Sequence, residues 1–367
     1  MELIVNNKWL KAAVSTAFDV TGQEHLVIVT KASWRIPAEG QRPKPIEATN
    51  FCYSDKYTDE SGLSAMVYGN DFALHKPACD IIFDACAHSA TPVKELMAGF
   101  QLGSIKKAIR IHGIRYWKPR LGMLFLSDAE PFTKMPLHYD NAFGGCLFHK
   151  PGDENSAVDT YLINPIGTGW ATTRTRKQLT NQRAASLEYP EDVIKSALGN
   201  HRPAALGAIG SHWQQRAQFA GTMDEHWQKT IFPFLPEDFD SRFHQVAPED
   251  QQMPYPTGGE QVVLINLMEN RSRVEFQLPA IGVMPVRVLR KNYSSELLNA
   301  TADTLFFETE KKQLSVVWRT RLPIQKNIRE FSCVAVGKIS PEWWRQRSLG
   351  TSDCVTCGKN KSQEVVS

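Results

Sequence analysis

The sequence predicts a mainly β protein (a β-rich α+β chain) whose antiparallel sandwich-like or barrel-like core carries a long, irregular and partly helical insert. Apolar and polar residues alternate with period two in the first third of the chain and again near its C-terminus, and no long helical pattern separates these runs. Between the two β regions, prolines and glycines interrupt regular structure repeatedly. We therefore divide the chain into a β segment 1–117, an insert 118–257, a second β segment 258–344 and a polar tail 345–367 that we expect to be disordered.

The alternation is clearest in the run EHLVIVTKASWR. Alternate residues from Leu26 to Trp34 share one face of this run, while Lys31 points to the other, so we expect antiparallel pairing with one face buried. A polar turn at 308–313 joins two further alternating runs and predicts a hairpin. We expect both β segments to build one joint core under the insert, and two separate β domains remain the alternative.

Two short helices are predicted within the insert. The run YPEDVIKSAL has Pro190 early and Glu191 and Asp192 in its first turn, which favours a helix N-terminus. The run TMDEHWQKTIF has the spacing of a capping box between Thr222 and Glu225.

The composition limits the classes of function. The chain has 367 residues and a net charge of only +3, from 42 Lys and Arg against 39 Asp and Glu, which gives no basic field of the kind that nucleic-acid binders show. No stretch approaches the roughly 18 uninterrupted apolar residues of a membrane span, and the first residues lack the pattern of a secretory signal. We expect a soluble protein, cytoplasmic if its source is bacterial, without nucleic-acid binding, membrane insertion or a cofactor.

Seven cysteines are scattered along the chain, an odd number that fits a reducing compartment better than a disulfide framework. The run HKPACDIIFDACAH brings together His75, Cys79, Cys86 and His88, which are residue types that bind zinc. The two cysteines are separated by an odd number of positions along a predicted strand, so they point to opposite faces. A structural role is therefore favoured over a metal site.

Cys354 and Cys357 form a C-x-x-C pair in the tail. This pair could bind a metal or cycle redox, but no second pair lies nearby and no thioredoxin-like pattern surrounds it. Cys354 and Cys357 are therefore weak metal candidates, and a solvated tail is favoured.

His138 and Asp140 carry the main enzymatic alternative. Their proximity is compatible with acid–base or metal chemistry, and a hydrolase-like enzyme acting on a protein or a carbohydrate through them is the alternative function. No nucleophile partner or second acidic cluster accompanies them in sequence, so a structural or contact role is favoured. The run NPIGTGW lacks the Lys-Ser/Thr of a phosphate loop and predicts a turn.

Glu237, Asp238 and Asp240 crowd together in the run LPEDFDSRF. Their spacing does not match a calcium-binding loop, and Asp240 beside Arg242 is better explained as an ion pair in a turn. The wider stretch 203–250 is rich in aromatic residues among prolines and glycines, which indicates an ordered irregular segment, either a binding surface or a structural plug.

Several sequence blocks occur in the order that is typical of one bacterial family. They cover most of residues 20–320 and read SGLSAMVYGNDFALHKPACDIIFDACAH, PFTKMPLHYDNAFGG, NPIGTGW, ALGAIGSHWQQRAQFAGTMDEHWQKTIFPFLPEDFDSRFHQVAPEDQ, GGEQVVLINL and DTLFFETEKKQLSVVWR. Long blocks in one order are more specific than any single short motif. In these blocks the chain resembles the type VI secretion effector-adaptor proteins of domain-of-unknown-function family 2169.

The resemblance implies a non-enzymatic, cytoplasmic adaptor or chaperone. Such a protein would bind a type VI secretion effector and help to load it onto the spike, a valine–glycine-repeat trimer with a proline–alanine–alanine–arginine-repeat tip. The enzymatic alternative would instead act on that effector or on a carbohydrate through His138 and Asp140. Aromatic and acidic residues of the insert are the candidates for partner contacts, since Trp and Tyr are enriched where binding energy concentrates, although each aromatic could instead pin the insert to the β core. Strand addition at an exposed sheet edge is a second binding mode that the sequence does not locate. The partner-binding candidates are Phe132, Tyr139, Phe143, Trp213, Trp227, Asp238, Phe239 and Asp240.

Overall fold

The computed structural model describes residues 1–5, 7–153 and 155–348, and strands dominate it, as the alternation predicted. The strands up to the start of the insert's irregular part are β1 (Glu2–Val5), β2 (Leu10–Phe18), β3 (Glu24–Arg35), β4 (Lys44–Ile46), β5 (Lys56–Tyr57), β6 (Met66–Tyr68), β7 (Cys79–Asp84), β8 (Cys86–Val93), β9 (Glu95–Leu102), β10 (Ile105–His112), β11 (Arg115–Arg120), β12 (Met123–Leu126) and β13 (Phe132–Pro136).

The remaining strands are seven short ones within the insert, β14 to β20, and the longer strands of the C-terminal segment. They are β14 (Phe143–Gly144), β15 (Cys146–Phe148), β16 (Val158–Thr160), β17 (Thr168–Gly169), β18 (Arg183–Ala184), β19 (Leu187–Glu188), β20 (Gln252–Met253), β21 (Gln261–Met268), β22 (Arg271–Gln277), β23 (Met284–Arg290), β24 (Ser295–Glu308), β25 (Gln313–Pro323) and β26 (Phe331–Val336).

Helices are short. Over the described ranges, the α-helices are α1 (Gln214–Ala217) and α2 (Pro341–Ser348), and single helical turns of 3₁₀ or π type occur at Tyr139–Asn141, Arg176–Leu179, Trp227–Ile231, Ser241–His244, Glu249–Gln251 and Ile328–Glu330. None of the helices in the described part of the chain is long and apolar enough to cross a membrane. Helix α2 extends four residues into the segment that was predicted to be a disordered tail, and Cys354 and Cys357 lie outside the described residues.

Strands from both ends of the chain share one large, nearly closed sheet in the order β1-β26-β23-β24-β25-β3-β2. Strand β3 pairs antiparallel with β25 along eleven residues, and the predicted hairpin at 308–313 joins β24 to β25. The neighbours are mostly antiparallel, but β7 runs parallel to β24 and β1 parallel to β26. Long stretches of chain separate the members of these two pairs, so no tight turn forces them to be antiparallel.

A second sheet, in the order β19-β10-β9-β21-β22, faces the first across the main hydrophobic core. Phe83 of β7 lies at the centre of this core, with its ring 4.7 Å from Phe307 of β24 and 4.7 Å from Phe100 of β9. Because offset and tilted aromatic pairs pack well at this distance, the three rings join the two sheets. The arrangement combines sandwich and barrel features, as predicted.

The expectation that β3 buries one face is wrong. Its residues from Leu26 to Ser33 are all buried, and Lys31 on the supposedly exposed face is only 2% exposed. The segment between β4 and β7 covers this face, where Phe51, Phe72 and Leu74 pack against the strand. Period-two alternation therefore identified the strand but not the cover supplied from elsewhere in the chain.

The two predicted helices of the insert have different outcomes. Residues 189–198 form no helix, because the carboxylate of Asp192 accepts hydrogen bonds from the His201 ring at 2.7 Å and the Arg202 N–H at 2.8 Å and so holds the chain in a turn. Residues 225–231 are helical, but the predicted cap is wrong. The Asp224 carboxylate accepts the hydrogen bond from the Trp227 N–H at 2.9 Å, in place of Thr222.

Candidate functional site: a closed aromatic loop

Residues 219–240, which we call the aromatic loop, project from the rest of the insert and return to it at nearly the same point. The backbone N–H of Asp240 donates to the carbonyl oxygen of Phe219 at 3.0 Å. Further into the loop, the N–H and the hydroxyl of Thr222 donate to the two carboxylate oxygens of Asp238 at 2.8 and 2.7 Å. Loops whose ends meet in this way are compact and ordered, so the segment is a fixed protrusion of the surface.

Gly221 lies where the two ends of the aromatic loop cross. Its φ is +80°, and a Cβ atom there would lie 2.7 Å from Cβ of Pro236 and 2.9 Å from Oδ1 of Asp238. Any other residue would therefore be strained and would push the ends apart.

Trp227 holds the aromatic loop together from inside. Its indole N–H donates to the carbonyl oxygen of Phe234 at 2.9 Å, and its ring meets the ring of Phe232 edge to face at 5.5 Å. The side chain is half-buried as a result. Trp227, one of the aromatic residues predicted to contact a partner, therefore stabilises the conformation of the loop and is also partly accessible at its surface.

The outer surface of the aromatic loop carries three exposed apolar side chains among polar and charged ones. Met223 is 61% exposed, Phe232 63% and Phe234 39%. The patch continues onto the β2–β3 hairpin, where Phe18 is 45% exposed and contacts the Phe234 ring edge to face at 5.2 Å. Single exposed apolar residues are ordinary, but Phe18, Phe234, Trp227 and Phe232 are linked by contacts, and such a group on an ordered loop is typical of an interaction surface.

The acidic candidates lie at the base of this loop. Hydrogen bonds from the backbone N–H and hydroxyl of Thr222 lower the pKa of Asp238 below its ordinary value of 3.8. The side chain of Arg242, and then its backbone N–H, lower the pKa of Asp240. Both carboxylates thus have partners within the protein. Asp238 holds the two ends of the loop together through Thr222, and Asp240 forms the predicted ion pair with Arg242 in the turn that follows the loop. Phe239 is half-buried beside them.

The base of the aromatic loop is fixed to the core by Arg216 of α1. This guanidinium is 5% exposed and donates to the carbonyl oxygens of Phe243 at 3.0 Å and Ile209 at 2.9 Å. Burial lowers the pKa of this guanidinium below its ordinary value. A buried cation that satisfies two backbone acceptors is costly to displace, so the loop has a rigid support.

Three of the predicted contact residues are placed in the interior instead. Trp213 is 1% exposed and meets Tyr139, itself 2% exposed, edge to face at 5.1 Å. Phe143 is fully buried in a second, smaller core, where its ring contacts Tyr161 at 5.5 Å. These three rings pin the insert to the rest of the protein and cannot meet a partner in this conformation, which corrects their assignment as anchors. Phe132 in β13 is half-buried.

His138 and Asp140 are not brought into one site. The His138 Nε2 atom lies 3.1 Å from Oδ1 of Asp84, a residue that sequence analysis did not consider, and this hydrogen bond lowers the pKa of Asp84. The carbonyl oxygen of Asp140 accepts from the Thr168 hydroxyl at 2.8 Å, while its Oδ1 atom is buried without a hydrogen-bond partner among the described residues. The acid–base pair suggested by their spacing is thus replaced by a His138–Asp84 pair.

The cysteines and histidines of the run HKPACDIIFDACAH also remain apart. Cys79 is fully buried in the main core, and burial raises the pKa of its thiol well above 9.0. His88 pairs with Glu310 at 2.6 Å. Among the residues that the structure describes, no three His, Cys, Asp or Glu side chains are grouped as a metal site.

Sequence analysis missed the hydrophobic surface residues Phe18 and Met223. Phe18 ends a strand that is partly buried along most of its length, and only its contact with the distant Phe234 reveals its role. The available signal was an apolar residue, Val20, within the turn DVTGQ, where polar residues are the rule.

The comparisons with known proteins give one result. The model of a family described as "Uncharacterized protein conserved in bacteria (DUF2169)" matches residues 21–319, which is most of the chain and includes the whole aromatic loop. Neither the curated proteins nor the solved structures provide a match.

Proposed function

The chain belongs to the bacterial family DUF2169, and from that premise we propose that it is a non-enzymatic, cytoplasmic adaptor that binds a type VI secretion effector and helps to load it onto the spike. The observation that carries the proposal is the ordered aromatic loop with its exposed apolar patch. A loading protein must hold its client and later release it, which favours a moderate, partly polar interface. The effector and the spike or its tip are the proposed partners.

The aromatic loop suits this role because its conformation is already fixed. Thr222, Asp238 and Gly221 close it, and Arg216 supports its base. A surface that is ordered before binding loses little conformational entropy when the partner arrives. We propose that Met223, Phe232 and Phe234 contact the effector, with Phe18 at the rim.

The test is a pull-down of the tagged protein from its native host, followed by mass spectrometry, with wild type and two variants. The double variant Met223→Ser/Phe232→Ser removes the two most exposed apolar side chains of the loop and leaves Phe234 in place. The matched control is Leu297→Ser on β24, because Leu297 is 59% exposed and lies far from the loop in sequence. We expect wild type and the control to retain one toxin-domain or spike-tip protein, and the double variant to lose it.

Delivery provides the second readout. Deleting the encoding gene should block secretion of the captured effector alone, and the Leu297→Ser gene should restore it while the double variant should not. Normal delivery in the deletion strain would contradict the adaptor role, whereas delivery restored by the double variant would contradict only the proposed site.

A further inference from the structure

A second exposed surface lies on the three-stranded sheet β12-β11-β18, away from the aromatic loop in sequence. One face of its β11–β12 hairpin is buried, since Trp117, Leu124 and Leu126 belong to the second core or pack against it. The opposite face carries the cross-strand pairs Lys118–Phe125 and Arg120–Met123, because residues that pair directly across two strands share a face.

This opposite face is both apolar and basic. Met123 is 57% exposed and Phe125 42%. Lys118 donates to the neutral amide of Asn181 at 3.0 Å, and Arg183 of β18 donates to Asn141 at 3.2 Å. Within the described part of the chain, no carboxylate forms an ion pair with these two residues or with Arg120. The surface therefore has positive charge beside exposed hydrophobic side chains.

The tip of the hairpin is occupied by an unusual residue. Leu121 and Gly122 have φ of 49° and 75°, the pattern of a two-residue turn in which Asn-Gly is strongly preferred. Leucine in the left-handed region costs roughly 1–2 kcal/mol. Leu121 is also 91% exposed, so no contact within the described protein compensates for this strain. Strain of this kind at a solvent-exposed apolar tip is typical of a contact residue.

The outer edge of β12 is open. Among the described residues only β11 pairs with β12. The Ser127 N–H donates to the Tyr116 carbonyl, so the hydrogen-bonded pairs that follow are Lys118–Phe125 and Arg120–Met123. The N–H and C=O groups of Leu124 and Leu126 therefore point away from β11, towards the open edge.

We infer that β12 binds an extended segment of another protein, in which acidic and apolar residues alternate, by addition of that segment as a further strand. Its backbone would satisfy the outward groups of Leu124 and Leu126. Its apolar side chains would extend the buried face. Its acidic side chains would lie on the other face beside Met123 and Phe125, two strand spacings or about 10 Å from β11. The long side chains of Arg120, and of Lys118 once it leaves Asn181, can extend across β12 towards them.

A second copy of the chain does not fit this edge equally well. Strand β12 reads MLFL and contains no acidic residue, so pairing of two copies would leave the cations without partners. Natural sheets protect open edges with charged residues or proline, and β12 has neither. The inference is independent of the secretion role proposed above.

The experiment uses a synthetic seven-residue peptide of alternating glutamate and valine, a twin with lysine in place of glutamate, and a third with every backbone amide of the first N-methylated. Each is titrated into the full chain while amide hydrogen exchange is followed by NMR. We expect the glutamate peptide to bind and to slow exchange at Leu124 and Leu126, with no added protection at Met123 and Phe125. The lysine and N-methylated peptides should bind at least about tenfold more weakly.

The variant Lys118→Glu/Arg120→Glu tests the charge. Both side chains are exposed, so the fold should be kept, and an unchanged circular dichroism spectrum would verify this. The variant should bind the glutamate peptide at least about tenfold more weakly than wild type does, and it should bind the lysine peptide more tightly. No binding of the glutamate peptide at about 1 mM, equal binding of the glutamate and lysine peptides, or binding without protection of Leu124 and Leu126 would overturn the inference. If the protection of Leu124 and Leu126 from exchange rises with protein concentration in the absence of peptide, the edge binds a second copy of the chain and the inference is wrong.

Discussion

Replacing Trp213 with alanine tests the division of the insert's aromatic residues into structural and contact groups. The Trp213 ring is 1% exposed, meets Tyr139 edge to face, and covers Gly210 so closely that a Cβ atom on Gly210 would lie 2.7 Å from the indole nitrogen. The neighbouring backbone is therefore shaped around the ring and cannot collapse fully into the space left by its removal. Buried Trp→Ala changes of this kind cost about 3–5 kcal/mol.

The expected cost can be converted into a melting temperature. With about 2.1 cal/mol/K of unfolding entropy per residue and 367 residues, the whole chain has about 0.77 kcal/mol/K. Trp213→Ala should then lower Tm by about 4–6 °C, which differential scanning calorimetry and urea denaturation can measure. Phe232→Ala is the control, because Phe232 is 63% exposed and should change stability by only about 0.5–1 kcal/mol. If Trp213→Ala costs no more than Phe232→Ala, the structural assignment of Trp213 is refuted.

Three further predictions concern other groups. Asp80→Asn should destabilise the protein by about 3–5 kcal/mol in urea denaturation, because the buried carboxylate accepts four hydrogen bonds; exposed Asp59→Asn is the control, and an equal effect of both would contradict the reasoning. Leu121→Asn should raise the free energy of unfolding by roughly 1 kcal/mol and weaken binding of the glutamate peptide. A variant that is less stable than wild type would argue against backbone strain at the tip. The hydrogen bond from His138 lowers the pKa of Asp84 below its ordinary value of 3.8. The bond therefore contributes fully to the free energy of unfolding above pH 3.8, and this contribution is lost as the pH falls through the lowered pKa of the folded protein. His138→Ala should therefore remove stability at neutral pH but little at pH below the folded pKa, while delivery survives; loss of delivery with an intact fold would favour the enzyme alternative.

The strands and the main hairpin could be predicted from sequence because alternation reports which side chains share a face of a strand. What covers that face is decided by distant segments. Lys31 illustrates the limit, since its ammonium group lies 2.7 Å from the carboxylate of Asp71, forty positions further along the chain. A lysine within a strand ordinarily indicates that its face is exposed to solvent. Here the carboxylate of the tertiary partner offsets the free-energy cost of burying the charge.

The helix predicted at 189–198 failed for a related reason. Its acidic first turn was interpreted as a helix start, but the Glu188 carboxylate accepts a hydrogen bond from the Ile194 N–H at 3.1 Å, and Asp192 is bound to His201 and Arg202. Acidic side chains can satisfy backbone donors in turns as well as in helices, and the local sequence does not distinguish the two.

The candidate site was only partly accessible to sequence analysis. Aromatic residues among prolines identified an ordered segment, yet Trp213 and Trp227 look equivalent in sequence although Trp213 is fully buried and Trp227 only half-buried. The His138–Asp84 pair joins residues 54 positions apart, so no local motif could reveal it. Spacing predicts contacts only within one element, whereas this insert is defined by contacts between elements.

The buried charges explain how so irregular an insert can present fixed surfaces. Asp80 of β7 accepts from Lys76 and also from Gln245 and two backbone N–H groups that follow the aromatic loop, so the strand and the loop's return path are held by one carboxylate. Removing any member would leave a buried charge or donor unpaired, which costs more than the bond itself contributes. The insert therefore needs few regular elements to be rigid, and its exposed apolar residues can remain in place for a partner instead of collapsing onto the core.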